Sequence, residues 1–278
     1  MNLRLVVLGS AQDGGVPQLG MSPAQEQRYT ASLAIVSDGG HAFLIDASPD
    51  LRHQQRALMA HDWYSQRSSA DPFDGVAITH AHMGHYTGLV NFGMEAQAAR
   101  GLPCWVTPRM AQFLTANQPW QALVVFGHIA LNPLAEGQEF EPWEGVSLRP
   151  VVVPHRAEFT DTVGFSITNQ STGVSAFYLP DLDAWSPEAE REVANHDISL
   201  VDTSFYSRDE LPNRDMSTFP HPIATDTMDR FEHLVGERMI VLTHLNHSNP
   251  LTDPQSVESK SAAARGFHVA TDMMEIDL

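Results

Sequence analysis

Val76-Ala77-Ile78-Thr79-His80-Ala81-His82-Met83-Gly84-His85 is a short apolar run followed at once by three histidines within six positions. Neutral imidazole is the commonest protein ligand for a zinc-like ion, and histidines on a strand-to-helix turn can converge on one point. Three imidazoles this close need a shared reason, so metal chemistry is the first expectation.

Working outward, other ligand-type residues also stand at or just beyond the carboxyl ends of apolar runs. His155 follows Val151–Pro154, Asp181 follows Ala176–Pro180, His244 follows Ile240–Thr243, and Asp46 follows Phe43–Ile45. In α/β proteins sites gather in the crevice outside such strand ends, so one site can collect all of them. Single histidines such as His53, His61 and His128 read instead as surface or packed side chains. Asp183 competes with Asp181 for the role, and Asp181 is preferred because it is nearer the strand.

The apolar runs Leu3–Leu8, Leu33–Val36, Ala42–Ile45, Val76–Ile78, Trp105–Val106, Val146–Val153, Gly164–Thr168, Val174–Leu179, Ile198–Val201 and Met239–Thr243 read as ten strands. Cap-plus-proline signals mark helix starts at Ser48-Pro49, Thr107-Pro108 and Ser186-Pro187, with Thr252-Asp253-Pro254 a near variant. Glycine stops follow at Gly101, Gly236 and Gly266. About six helices interleaved with strands give a mixed α and β chain, expected to form one domain over 1–278 with helices covering sheets. Thr203–Pro222, polar and proline-bearing, is expected to border the site or act as a lid.

Composition narrows the function classes. Hydrophobic residues make up 42% and charged residues 18%, as in globular proteins, and no apolar stretch approaches a membrane span. The N-terminal run reads as a strand rather than a secretory signal, and the lone Cys104 fits a reducing compartment, so a soluble cytoplasmic protein is expected. Sixteen basic against 34 acidic residues leave a formal charge of −18, which repels nucleic acid and anionic membranes and leaves small molecules as substrates. Homodimerisation is compatible with the sequence, and nothing linear marks the interface.

The order of motifs resembles the metallo-β-lactamase superfamily: Leu44-Ile45-Asp46, then His80/His82/His85, His155, Asp181 and His244, spanning nearly the whole chain. Within it, Leu8–Gln18, Val153–Phe165 and His244–Pro250 are similar to the pyrroloquinoline quinone biosynthesis protein B family. The resemblance implies a four-layer αββα sandwich of two mixed β-sheets flanked by helices, with one or two zinc ions. It implies a first metal set of His80, His82 and His155, a second of His85 and His244, and Asp181 bridging. Two features depart from the relatives. No cysteine stands between Met21 and Thr30, where the quinone-cofactor family carries a cysteine-rich knot. Gly84 occupies the slot where the superfamily's HxHxDH loop has its second-metal aspartate. Either one metal suffices, or another carboxylate reaches in, and Asp13 on the loop behind the first strand is the candidate. The plainer reading of Asp13-Gly14-Gly15 is a turn with both glycines at positive φ.

Metal-assisted hydrolysis of an ester, lactone, thioester or phosphodiester is the leading expectation, through a metal-bound hydroxide that forms near neutral pH. Asp181 would align the attacking hydroxide, His85 or His247 would protonate the leaving group, and Arg156 and His221 would bind substrate. Iron or manganese suits the same ligands. An iron-dependent oxidoreductase and a non-catalytic metal carrier related to quinone-cofactor biosynthesis therefore stay open.

Overall fold

A computed structural model describes residues 1–22, 26–211, 215–216 and 219–278. The described residues form thirteen strands and eight α-helices. The first sheet contains β1 (Leu3–Gly9), β2 (Ser32–Ser37), β3 (Ala42–Ile45), β4 (Gly75–Ala77), β5 (Leu102–Val106), β6 (Ile129–Pro133) and β13 (Glu275–Asp277), in the order β13-β1-β2-β3-β4-β5-β6. The second contains β7 (Val146–Val153), β8 (Thr162–Asn169), β9 (Ser175–Leu179), β10 (Ile198–Asp202), β11 (Met239–Thr243) and β12 (His268–Val269), in the order β12-β11-β10-β9-β8-β7. Both are mixed: β3 to β6 run parallel and β13 to β3 antiparallel, while β9 to β12 run parallel and β7 to β9 antiparallel.

The side-chain period of two divides the core into three layers. Leu3, Leu5 and Val7 of β1 face Leu148, Phe165 and Leu200 of the other sheet, which makes a dry inter-sheet core. Val6 and Leu8, one residue out of phase, pack on the outer side against α1 (Leu51–Leu58), α4 (Pro108–Ala116) and α5 (Trp120–Val125). The second sheet turns Val151, Leu179 and Leu242 outward against α6 (Pro187–Asn195), α7 (Ala224–Phe231) and α8 (Val257–Ala264). The remaining helices are single turns, α2 (Asp62–Ser65) and α3 (Met83–Tyr86). Helices on both outer faces and two sheets between them are the expected αββα sandwich.

Ten expected strands form, and β6, β12 and β13 join them. Edge strands β12 and β13 span only two and three residues, too short for an alternation to show. Thr107 and Ser186 cap α4 and α6 through their hydroxyls, as read. Ser48 does not cap a helix: α1 begins at Leu51 behind Asp50, and the Ser48 hydroxyl accepts from Asp50 N and donates to Gln54. Thr252-Asp253-Pro254 also starts no helix; Asn249 caps a 3₁₀ turn before it and Ser256 caps α8 after it. Gly266 ends α8 at φ +84°, whereas Gly101 follows no helix and precedes β5. Of the Asp13-Gly14-Gly15 turn, only Gly15 takes positive φ. Residues 212–214 and 217–218 of the expected Thr203–Pro222 border lie outside the described residues.

Candidate metal centre

β3, β4, β7, β9, β10 and β11 each deliver a ligand-type residue at or just past their carboxyl ends, and these ends meet between the two sheets. The chain turns sharply at two of them: Asp46 (φ 66°) and His244 (φ 61°) both sit in the left-handed region, which non-glycine residues hold only where their surroundings enforce it.

Asp181 Oδ2 stands at the centre. His80 Nε2, His155 Nε2 and His82 Nδ1 lie 3.3, 3.1 and 3.8 Å from it. His82 Nδ1 is 2.9 Å from His80 Nε2 and 3.0 Å from His155 Nε2. Four ligands at zinc-bonding distance sit about 3.3–3.4 Å apart in a tetrahedron, and these spacings scatter around that edge length. On the other side of Asp181, His85 Nε2 and His244 Nε2 are each 3.9 Å from the same oxygen, and Asp13 Oδ1 is 3.4 Å from His85 Nε2. The structure therefore brings His80, His82, His155 and Asp181 into one group and Asp13, His85 and His244 into a second, with Asp181, Asp202, His221 and His244 a third that overlaps both.

Each imidazole is held from behind by an oxygen, the arrangement that fixes a ligand's tautomer and aim. His80 Nδ1 meets Thr79 Oγ1 at 2.9 Å, His85 Nδ1 meets Asp46 at 2.8 Å, and His244 Nδ1 meets Ser204 Oγ at 2.9 Å. His155 Nδ1 stands 2.7 Å from Asp183, and His82 Nε2 is 3.3 Å from Glu158. Asp181 thus enters the centre, while Asp183 stands beside the rear nitrogen of His155. Asp202, at the end of β10, was not singled out in the sequence because its strand reads as ending at Val201. It lies 2.9 Å from His221 Nδ1 and 3.6 Å from His244 Nδ1. Asp202, Asp181, His221 and His244 form the third group of ligand-type residues, in which Asp202 meets His244 through the nitrogen that faces away from Asp181 Oδ2.

The donor set fits metal ions on two grounds. Asp13 Oδ1, Asp181 Oδ2, His85 Nε2 and His244 Nε2 are buried without a hydrogen-bond partner, which is costly for polar atoms that nothing else satisfies. Asp13, Asp46, Asp181 and Asp202 also crowd together, and among the described residues no lysine or arginine pairs with any of them. Clustered carboxylates without lysine or arginine partners rely on the facing imidazoles or on bound cations for charge balance. Burial, with His85 nearby, pushes the His80 imidazole well below its ordinary pKa, leaving it a neutral donor. Burial alone would lower His85 too, but the facing Asp46 and Asp13 carboxylates outweigh it and raise its pKa well above the ordinary value.

His221 is drawn in, with Nδ1 3.2 Å from Asp181 Oδ1. Arg156 is exposed on the loop after His155. His247 stands apart from both groups, half-buried and 3.2 Å from Asn246 Oδ1. A cavity of about 540 Å³ beside α1 has none of the centre's residues in its wall.

A family model described as a beta-lactamase superfamily domain matches residues 41–245, more than half of the chain. The chain belongs to the metallo-β-lactamase superfamily. It is 27% identical to the coenzyme PQQ synthesis protein B of Azotobacter vinelandii, over 99% of this chain and 100% of that one. The crystal structure of zinc-bound PqqB from Methylobacterium extorquens matches with a TM-score of 0.83 at 23% identity, covering 99% of this chain and 100% of that one. A diphosphatase of the PhnP family matches at 0.72 and 21%, covering 100% and 98%. These likenesses to solved structures establish the shared fold. Among the described residues no helix is long and apolar enough to cross a membrane.

Proposed function

We propose that this superfamily member is a zinc-dependent hydrolase of a small ester, lactone, thioester or phosphodiester, working with two ions that share Asp181. The observation that carries the reading is Asp181 Oδ2 lying within 3.9 Å of a donor nitrogen from all five histidines of the two groups. When bound, the ions would acidify a water from a pKa of about 15.7 toward 7 and polarise the scissile oxygen.

The chain's own residues do the rest. His80, His82 and His155 would hold the first ion, and His85, His244 and Asp13 the second. Asp181, between the two groups, would serve both and align the attacking oxygen. His85 has no nitrogen left for a leaving group, since Nδ1 faces Asp46 and Nε2 the centre. His247 stands with Asn246. His221 faces Asp181 and Asp202 through Nδ1 and is placed at the centre to bind substrate in this reading. With Nδ1 engaged by those carboxylates, Nε2, 3.5 Å from the Gln12 side-chain amide nitrogen, is the ring atom left to meet substrate. Exposed Arg156 is suited to an anionic substrate group arriving at the mouth.

The test is a panel of ester, lactone, thioester and phosphodiester reporters, assayed as purified, after chelation, and after return of zinc, manganese or iron. Turnover lost with the chelator and restored by zinc supports the reading. Metal binding without turnover across the panel favours the carrier, and iron with substrate-dependent oxygen uptake favours the oxidoreductase.

A further inference from the structure

We infer that the second-site carboxylate has been relocated rather than lost, and that Asp13 and Gly84 are two halves of one exchange. The inference rests on the two-ion reading above and concerns how this chain builds its second site. A Cβ built on Gly84 falls 2.0 Å from Asp13 Oδ1 and 2.8 Å from both Asp13 Cα and Cγ. Real Cβ atoms do not come that close, so a side chain at 84 and the Asp13 carboxylate cannot share this space. The volume that a residue at 84 would use is filled by a carboxylate arriving from the loop behind β1.

That carboxylate is held for the purpose. Leu245 N donates to Ser10 O and Gln12 N donates to Leu245 O, both at 2.9 Å, so the 10–15 loop is stitched to the residue next to His244. Gly15 N donates to Gln12 O at 2.8 Å and closes the turn around Asp13. Asp13 Oδ1 and the Nε2 atoms of His85 and His244 are buried, lack hydrogen-bond partners and form one group. An ordinary turn aspartate would direct its carboxylate at nearby backbone N–H groups. Asp13 instead directs it into the centre, while its side chain keeps 36% of its surface exposed, so the second ion has a ligand at the solvent edge.

The test counts zinc per chain, after gel filtration of chelator-stripped and zinc-reloaded protein, with thermal melting alongside to confirm folding. Wild type should bind two equivalents. Asp13→Asn, nearly isosteric, and Asp13→Gly should each bind one. Gly84→Ala should also fall to one, although Asp13 is still present, because the added methyl displaces it. The double variant Asp13→Gly with Gly84→Asp should return to two. Two tightly held equivalents in Asp13→Gly, or in Gly84→Ala, would overturn the exchange while leaving the two-ion reading standing. A wild type that binds no zinc would overturn both, and a wild type that binds one would overturn the two-ion reading and the exchange with it. A folded double variant that stays at one equivalent would also refute the exchange.

Discussion

Asp46 Oδ2 lies 2.8 Å from Nδ1 of His85, and neither side chain has any exposed surface. The same carboxylate accepts from Thr79 N at 2.8 Å and from Thr79 Oγ1, so it is fixed from three directions. Its effect on the centre is to turn Nε2 of His85 toward Asp13 and Asp181. Asp46→Asn keeps the shape and removes the charge. We expect it to weaken zinc binding at the second set by about 10- to 100-fold, as loss of an orienting carboxylate does elsewhere. Zinc titration by calorimetry reads this directly, and an unchanged affinity would mean that Asp46 serves only the fold.

The first set makes a separate prediction. His82→Ala or His155→Ala should cost one zinc equivalent and lower turnover by at least 100-fold, while circular dichroism stays native. Full metal content with full turnover in either variant would show that these imidazoles are not ligands.

Much of this centre was legible in the sequence because strand ends and ligand-type residues coincide. His80, Asp181 and His244 each follow a run whose apolar character shows without any structure. Asp202 stayed hidden because it is itself the last strand residue, and aspartate is a poor marker of β structure. Asp13 was legible as a candidate carboxylate for the slot left by Gly84, with an ordinary Asp-Gly-Gly turn as its plainer reading. What distinguishes it is the space at Gly84, a relation across 71 positions that only the fold brings together. Ser48 misled for a related reason: a serine before proline reads as a cap, yet here its hydroxyl is used by Asp50 and Gln54. His247 sits three residues from His244, and the chain after the sharp turn at His244 carries it away to Asn246.

Asp272 provides a pH test remote from the ligands. Burial raises its pKa to about 6, only partly offset by the N–H of Tyr29, by Ser10 and by Arg28. Its folded pKa exceeds its unfolded value, so the folded state binds more protons between roughly pH 4 and 6. The carboxylate therefore costs stability above pH 6, and that cost is relieved as pH falls. Relative to Asp272→Asn, wild-type stability should improve by on the order of 2–3 kcal/mol from pH 7 to pH 4. Urea unfolding of both metal-free proteins measures it, and a flat difference would remove the buried-carboxylate account.

Cys104 lies inside the outer core beside α4, where burial pushes its thiol up to about 12. It should resist iodoacetamide at pH 8 in the folded protein and react fully in denaturant. Mass spectrometry distinguishes the two, and rapid alkylation of the native protein would mean that the helical layer over the first sheet opens readily.

The central claim is that imidazoles from both sheets and one shared carboxylate grip a pair of cations. An anomalous difference map from crystals of zinc-loaded protein, collected at the zinc edge, tests it most directly. The account predicts two peaks flanking Asp181 Oδ2, one among His80, His82 and His155 and one among His85, His244 and Asp13. A featureless map between these side chains, or imidazoles turned away from Asp181, would contradict it.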